Sequence, residues 1–186
     1  MDSLLSWIVT SAGIYCLFIL ATAIERLVEV KISNRNAAWS FEQGGVEKGK
    51  GHYPFMVVLH TGFLFACIAE VVLLDRQFNP VLGGVMIALA VFCQGLRWWC
   101  ITSLGQRWNT RVILVPGLKR LTNGPYKYFS HPNYVAVVLE GFAIPLMHNA
   151  IFTCAAFTIL NAGLLWVRIR CEEQALQELL EAPNAT

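Results

Sequence analysis

Residues 124–134 read Gly-Pro-Tyr-Lys-Tyr-Phe-Ser-His-Pro-Asn-Tyr, and a membrane-sized apolar segment begins at the last of them. The final apolar segment of the chain ends in a second polar motif, Arg-Ile-Arg-Cys-Glu-Glu at 168–173. If the last two apolar segments form a helical hairpin, both motifs lie together at one face of a membrane. Polar and charged groups gathered there suit a small charged ligand at the edge of the bilayer.

The composition is that of a membrane protein. The chain has 186 residues, of which 56% are hydrophobic and 14% are charged, and its mean hydropathy is +0.53. Soluble domains are typically about 45–50% apolar and about 25% charged. The net charge of +2 is too small to indicate a nucleic-acid partner. The six cysteines lack C-x-x-C spacing and are interpreted as packing residues, not as disulfides or metal ligands.

Five apolar segments approach the ~20 residues that a helix needs to cross a bilayer core. They are Leu4–Ile24, Tyr53–Leu74, Pro80–Ile101, Tyr134–Met147 and Ile151–Val167. The first segment has no Lys or Arg before it and no cleavage site after it, so we interpret it as a retained span and not as a signal peptide. The last two are short and predict a tight hairpin. We therefore expect an all-α integral membrane protein with about five transmembrane helices, in one membrane domain over 1–186.

The basic residues predict how the chain is oriented, because Lys and Arg favour the cytoplasmic side of a membrane. With five spans, thirteen of the fourteen basic residues lie on one side and only Arg76 lies on the other. An even number of spans breaks this pattern. We therefore expect the N-terminus outside, and both polar motifs at the cytoplasmic face of the inner or plasma membrane.

Two polar stretches and four polar residues within the spans leave alternatives open. The loop 33–54 is interpreted as an interfacial segment on anionic lipid, with a flexible lid over a lipid head group as the alternative. The stretch 105–131 contains a β-branched run followed by turn signals, and it predicts a small hairpin or extended loop over the cytoplasmic mouth. The four residues either hold helices together or line a substrate pocket: His60, Glu70, Gln94 and Glu140.

The charged motif at the end of the last span also has two interpretations. Arg168 and Glu172 are four residues apart and so share one helix face. An exposed ion pair is the simpler interpretation. A functional role is favoured because ionisable groups at a membrane span tend to be functional and because His131 is expected at the same face. His131-Pro132 equally suits a helix start, where Pro is common.

These residues resemble the isoprenylcysteine carboxyl methyltransferase family, and more broadly the membrane methyltransferases that include phospholipid N-methylating enzymes. The resemblance covers about 105–181 and rests on Leu104-Gly105, 121–126, 131–134 and Arg168 with 172–176. It implies that 1–104 supplies the N-terminal spans and a cytoplasmic loop, and that 105–186 is the cofactor-binding catalytic half. Arg168 is implied to serve the substrate and catalysis, and no metal ion is expected. The residues implied to hold S-adenosylmethionine are Leu118, Lys119, Arg120, Leu121, Tyr126, His131, Pro132, Asn133, Tyr134 and Glu172.

The chain departs from the family pattern at one position of the cofactor motif. Many members carry Arg directly before His-Pro, where this chain has Ser130. If that Arg helps to hold the cofactor carboxylate, Lys127 or Arg120 takes its place.

The N-terminal half bears on the methyl acceptor. The stretch 49–56 together with His60 is similar to a bacterial subgroup, some of whose members methylate type III polyketide products. We expect an O-methyltransferase for a carboxylate or acidic hydroxyl of a lipophilic or prenylated acceptor drawn from the membrane. An alkylpyrone or alkylresorcinol O-methyltransferase and a phospholipid N-methyltransferase are alternatives of the same class. A membrane scaffold protein, a small transporter and a nicotinamide-dependent reductase are alternatives outside it.

Overall fold

The computed structural model of the protein describes residues 7–118 and 121–181, with side chains through residue 177. The main elements there are α1 (Ser11–Glu42), β1 (Val46–Lys48), α2 (Tyr53–Leu73), α3 (Pro80–Leu104), β2 (Val112–Leu114), α4 (Pro132–Leu146) and α5 (Ile151–Glu181). Short 3-10 turns occupy Lys50–His52, Gly105–Arg107 and Gly124–Lys127. Helices α1, α2, α3 and α5 are long and apolar enough to cross a membrane, while α4 is a shorter apolar helix of 15 residues. The prediction of an all-α integral membrane protein with about five helices is confirmed.

Helix α1 differs from the predicted first span, Leu4–Ile24. Thr10 caps its start, because the threonine hydroxyl accepts a hydrogen bond from the Gly13 N–H at 3.1 Å. Residues before 7 are outside the described chain. The helix then continues past the first charged residues to Glu42. Charges end an apolar run without ending a helix, because the helix is held by its own backbone hydrogen bonds.

The prediction of a loop at 33–54 is therefore wrong for residues 33–42, which form the last turns of α1. Ser33, Asn36 and Ser40 are buried along one face of these turns. The Asn36 amide donates to the carbonyl oxygens of Gly105 and Trp108 at 3.1 and 2.8 Å. The polar residues that suggested a loop thus form a stripe of hydrogen-bonding groups directed at the segment after α3.

The β-branched run within the predicted hairpin or extended loop of 105–131 forms a strand, but its partner is not local. Strand β2 pairs antiparallel with β1, with Val46 opposite Leu114 and Lys48 opposite Val112. The ladder therefore joins the α1–α2 connection to the α3–α4 connection. The β-branched residues indicated a strand correctly, whereas the choice of partner depends on how the helices bring the two connections together.

The last two helices form the predicted tight hairpin. Helix α4 ends at Leu146 and α5 begins at Ile151, and Asn149 between them takes a positive φ of 57°, a conformation that asparagine tolerates better than most residues. Helix α5 then runs without a break to Glu181, so the polar residues after Val167 continue the last span as one helix.

The bundle has two chemically different ends. At the end that we call the site end, α1, α3 and α5 finish, α2 and α4 begin, and the β1–β2 ladder crosses them. At the opposite end, apolar side chains from α1, α2, α4 and α5 pack into the main core, with Tyr15, Ile19, Phe63, Val71, Ile144 and Phe157 among them. All six cysteines are free thiols, four of them buried, which agrees with their interpretation as packing residues.

Glu70 stabilises the opposite end as a helix cap. Its carboxylate accepts hydrogen bonds from the N–H groups of Phe152 and Thr153 at 3.1 and 2.7 Å, and from the Thr153 hydroxyl at 2.8 Å. Arg76 lies 2.7 Å from the same carboxylate. A carboxylate at a helix N-terminus satisfies free N–H groups and meets the favourable end of the helix dipole. Of the two alternatives for Glu70, the structure thus shows that it holds helices together.

Candidate active site

Two adjoining cavities lie at the site end. The first, of about 200 Å³, is bounded by the segment after α3, strand β2, the start of α4 and the last turns of α5, and we call it the mouth cavity. The second, of about 480 Å³, lies between α1 and α2 and is mostly lined by apolar side chains, so we call it the apolar cavity. Five residues line both cavities: Trp108, Asn109, Asn133, Tyr134 and Arg168.

The structure brings the predicted site residues together. Lys119 and Arg120 are outside the described residues, and all the others line the mouth cavity. They are Leu118, Leu121, Tyr126, His131, Pro132, Asn133, Tyr134, Arg168 and Glu172. These residues come from the α3–α4 connection, the first turn of α4 and the end of α5, which only the hairpin places side by side. Their roles in binding and catalysis stay predictions.

Tyr134 links the two charged residues of α5. The Arg168 Nε donates a hydrogen bond to the Tyr134 hydroxyl at 2.7 Å, and that hydroxyl donates to the Glu172 carboxylate at 2.5 Å. The spacing of four residues places Arg168 and Glu172 on one face of α5, and Tyr134 reaches that face from the first turn of α4. The phenol therefore fixes the positions of a cation on one side and a carboxylate on the other.

Arg168 is buried, with 5% of its surface exposed. Its Nη2 donates to the carbonyl oxygen of Thr110 at 2.6 Å, and its Nη1 lies 3.1 Å from the Met56 sulfur. A thioether is a weak hydrogen-bond acceptor, so Nη1 is the guanidinium nitrogen that a bound molecule can most easily recruit. The guanidinium is held in place on two sides and faces the region where the cavities meet.

His131 lies at the N-cap position of α4, and its side chain makes no capping hydrogen bond. Its ring stacks on Tyr134 with the centroids 5.3 Å apart. Its Nδ1 is 3.8 Å from Glu172, and its Nε2 is 3.5 Å from Glu173. His131 thus lines the mouth cavity, and His131-Pro132 also starts α4, as the simpler interpretation held.

Three nitrogens in the walls of the mouth cavity lack a hydrogen-bond partner within the described part of the chain; two are donors, and the third belongs to a histidine and donates or accepts according to its tautomer. They are the Asn109 Nδ2, the Arg111 Nε and the His131 Nε2. Buried donors without partners are costly in a folded protein, so these atoms indicate a ligand rich in hydrogen-bond acceptors. Asn109 is not among the site residues predicted from the sequence, although the polar run 106–111 directly after a span is a signal for it.

Tyr126 contributes an uncharged hydroxyl to the same cavity. Burial raises the pKa of the Tyr126 phenol, and the neighbouring Cys100 thiol raises it further. The phenol therefore remains protonated at physiological pH, where it can both donate and accept a hydrogen bond.

A largely buried ionic network borders the apolar cavity. Glu29 lies 2.9 Å from Arg26 and 2.9 Å from Arg97, and Glu140 lies 3.3 Å and 3.7 Å from the same two arginines. Arg97 also donates to the side-chain oxygen of Asn133 at 3.4 Å. Charged groups in a membrane span normally face the protein interior and pair with one another. The sequence did not reveal this network because the predicted first span ended at Ile24, so Arg26 and Glu29 fell outside the predicted spans.

The remaining polar residues within the spans take different roles. Through the ionic network, Glu140 connects α4 to α1 and α3. Gln94 also belongs to this network, because the Gln94 side-chain oxygen accepts a hydrogen bond from Arg26 Nη2 at 3.3 Å. His60 instead lines the apolar cavity. Interhelical contact and pocket lining, the two alternatives left open by the sequence, thus both occur.

Comparison with known proteins shows the family to which the chain belongs. The chain matches the isoprenylcysteine carboxyl methyltransferase (ICMT) family over residues 86–178, a stretch that contains every residue lining the mouth cavity except Ser40. It is also 40% identical over 164 residues to the uncharacterized protein YpbQ of Bacillus subtilis (strain 168), covering 88% of this chain and 97% of the relative. The chain belongs to the isoprenylcysteine carboxyl methyltransferase family, and is therefore a methyltransferase embedded in a membrane.

Proposed function

We propose that the protein transfers the methyl group of S-adenosylmethionine to a carboxylate or acidic hydroxyl of a lipophilic acceptor. The observation that carries this proposal is the junction of the two cavities at Arg168 and Tyr134. One cavity offers polar groups to a cofactor and the other offers an apolar chamber to a lipid. Donor and acceptor can then meet beside a fixed cation.

The mouth cavity fits the cofactor by the chemistry of its donors. S-adenosylmethionine has a carboxylate, two ribose hydroxyls and an adenine ring, all of which accept hydrogen bonds. The unpartnered nitrogens of Asn109, Arg111 and His131 are suited to such acceptors. Glu172, whose side chain is 30% exposed, is suited to the amine or to the ribose hydroxyls through charge-assisted hydrogen bonds. When bound, the cofactor supplies an electrophilic methyl group on a sulfonium cation.

The apolar cavity fits the hydrocarbon part of the acceptor. Its walls are the facing sides of α1 and α2, with Leu20, Leu27, Val57 and Leu64 among the lining residues. Many side chains of these two helices are exposed and apolar, as expected for surfaces in contact with lipid. A chain from the bilayer can therefore enter sideways between α1 and α2 and bring its head group to Arg168.

Arg168 and its partners align the acceptor oxygen. The guanidinium is held by Tyr134 and Thr110, and its Nη1 can donate to an anionic oxygen without moving. Alignment of two reactants can by itself be worth ~7–11 kcal/mol. Opposite charges cancel as the methyl group moves to the oxygen, so a site shielded from water disfavours the separated ions more than the transition state. A cation at this position favours an oxygen anion over the amine of a phospholipid.

The orientation of the chain in the membrane belongs to the same proposal: the site end faces the cytoplasm and the N-terminus lies outside. The thirteen basic residues on one side support it. Two exposed glutamines at opposite ends, Gln43 and Gln77, offer a matched pair. In a background without the native cysteines, an impermeant thiol reagent added to intact cells should label Gln77→Cys and spare Gln43→Cys. Labelling of Gln43→Cys alone would place the site outside and contradict the proposal.

One experiment tests the activity directly. Membranes containing the protein are incubated with S-adenosylmethionine carrying a radiolabelled methyl group, the lipids are extracted, and labelled products are identified by mass. In parallel, S-adenosylhomocysteine should raise the thermal stability of the purified protein, because a ligand that binds only the folded state stabilises it. Membranes with Arg168→Ala serve as the control. No labelled lipid and no stabilisation by S-adenosylhomocysteine would together refute the proposal.

A further inference from the structure

His60 is a polar residue on the apolar wall of the apolar cavity. The face of α2 that lines the cavity runs through Tyr53, Met56, His60, Leu64 and Ile68, at the spacing of one helical side. Along this face, Met56 touches Arg168, and His60 follows one turn deeper in the bundle. The distance between successive turns of an α-helix is about 5.4 Å. An acceptor with its reacting oxygen at Arg168 therefore passes His60 with the next part of its structure.

The hydrogen bonding of the imidazole defines which of its nitrogens is available. The Nδ1 lies 2.9 Å from the carbonyl oxygen of Met56. Because a carbonyl only accepts hydrogen bonds, Nδ1 carries the proton and donates. In the neutral ring, Nε2 then has a lone pair and can only accept. The described residues contain no hydrogen-bond partner for this nitrogen. The nitrogen is also absent from the fully buried polar atoms that lack a partner, so it is accessible from the cavity.

The orientation of the ring is held by its neighbours. The edge of His60 packs against Phe157 at a right angle, with the ring centroids 5.4 Å apart. The contacts with the Met56 carbonyl and with Phe157 hold the imidazole ring. Its Nε2 therefore keeps a defined position in the cavity wall. A histidine that served only to pack two helices would have both nitrogens satisfied by the protein, as buried polar groups normally are.

We propose that His60 recognises the methyl acceptor, by accepting at Nε2 a hydrogen bond from an O–H or N–H group that the acceptor carries beyond the atom to be methylated. This inference rests on the proposed function and names a finer property of the substrate. The acceptor is a lipid whose head group has a second polar group, a donor of hydrogen bonds. A hydrocarbon chain with a lone carboxylate at its end does not match this wall, because it places only carbon against Nε2.

Two synthetic lipids provide probes that differ in this group alone. In 5-pentadecylresorcinol one hydroxyl remains free when the other lies at Arg168, whereas 3-pentadecylphenol has no second hydroxyl. Methyl transfer to each is measured with the purified full-length protein in lipid nanodiscs at about pH 9, where part of each phenol is ionised in solution and needs no base from the protein, and kcat and KM are determined separately. The variants are His60→Phe, which keeps the aromatic contact with Phe157 and removes the nitrogen, and His60→Gln, which restores an acceptor oxygen. Leu64→Met, on the same cavity wall, is the control for a change of shape.

The wild-type protein should prefer the resorcinol over the phenol by roughly five- to tenfold in kcat/KM, the usual value of one hydrogen bond. His60→Phe should abolish this preference by raising KM for the resorcinol, with little change for the phenol. His60→Gln should recover part of the preference, and Leu64→Met should keep it. Stabilisation by S-adenosylhomocysteine should be the same in all four proteins.

Several results would overturn the inference. An equal loss of turnover on both probes in His60→Phe would mean that the residue only supports the cavity, and an unchanged preference would mean that it does not touch the head group. A wild-type protein that binds S-adenosylhomocysteine but methylates neither probe would remove this acceptor class and leave the methyltransferase assignment intact. Failure to bind S-adenosylhomocysteine at all would instead count against the proposed function.

Discussion

Two glutamates, one at each end of the bundle, show how the same side chain takes different roles. At the opposite end, Glu70 is buried and receives hydrogen bonds from two backbone N–H groups, a hydroxyl and Arg76. At the site end, Glu172 receives a hydrogen bond from Tyr134, and its side chain is 30% exposed. The first carboxylate is saturated by the protein and stabilises it. The second retains acceptor capacity at a cavity, where a ligand can use it.

The largest effect is expected at the cation beside Glu172. Arg168→Ala should lower the turnover of the identified acceptor by ~10²–10³, the usual cost of removing one electrostatic contact in a dry site. Stabilisation by S-adenosylhomocysteine should change far less, because Arg168 faces the acceptor. Arg168→Lys should rescue little, since a point charge does not replace a planar fork. Near-normal turnover in Arg168→Ala would move the catalytic cation to Arg97 or Arg111.

The next largest effect concerns the phenol that joins the two charges. Tyr134→Phe removes hydrogen bonds to Arg168 and Glu172, and bonds to charged groups are worth about 1.5–3 kcal/mol. Turnover should therefore fall by roughly 10- to 100-fold. Steady-state kinetics on reconstituted protein give the measurement, with the exposed Tyr128→Phe as the matched control. Equal kinetics for the two variants would show that the link is not used in catalysis.

A smaller effect is expected on cofactor binding. Glu172→Gln should weaken the binding of S-adenosylhomocysteine about tenfold, since it replaces a charge-assisted hydrogen bond by a neutral one. His131→Ala should also weaken it, because it removes a hydrogen-bonding imidazole from the same cavity. Calorimetric titration of the purified variants gives the dissociation constants, and unchanged circular dichroism shows that the fold is intact. Wild-type affinity in both variants would remove these residues from the cofactor site.

Glu70→Gln should have the smallest effect on activity and a clear effect on stability. Loss of the charge at the cap of α5 should lower the free energy of unfolding by about 1–3 kcal/mol, and turnover per folded molecule should stay the same. The thermal unfolding midpoint and the specific activity are measured on the same preparation. Unimpaired stability together with weaker cofactor binding would show that the two glutamates do not divide their roles as the structure indicates.

The candidate site could be predicted from the sequence to the extent that its residues are local. His131 to Tyr134 form the start of α4, and Arg168 and Glu172 lie in the second half of α5. A short hairpin therefore places them at one face independently of the rest of the chain. The neighbours Asn109 and Thr110 could not be placed this way. Their positions depend on Ser33 in α1, whose hydroxyl donates to the Asn109 side-chain oxygen and accepts from the Thr110 N–H. Such long-range contacts leave no local pattern.

The sequence by itself determined a membrane protein of about five helices, because apolar length and turn residues act locally and the bilayer selects helices. It also determined which polar motifs share the site end. The tertiary structure alone decided that α1 extends to Glu42 and that β1 pairs with β2. It also decided that Arg26 and Arg97 share Glu29 inside the bundle. The physical reason is the same in each case: a polar group near a membrane can be satisfied by water, by lipid or by a distant side chain, and only packing chooses between them.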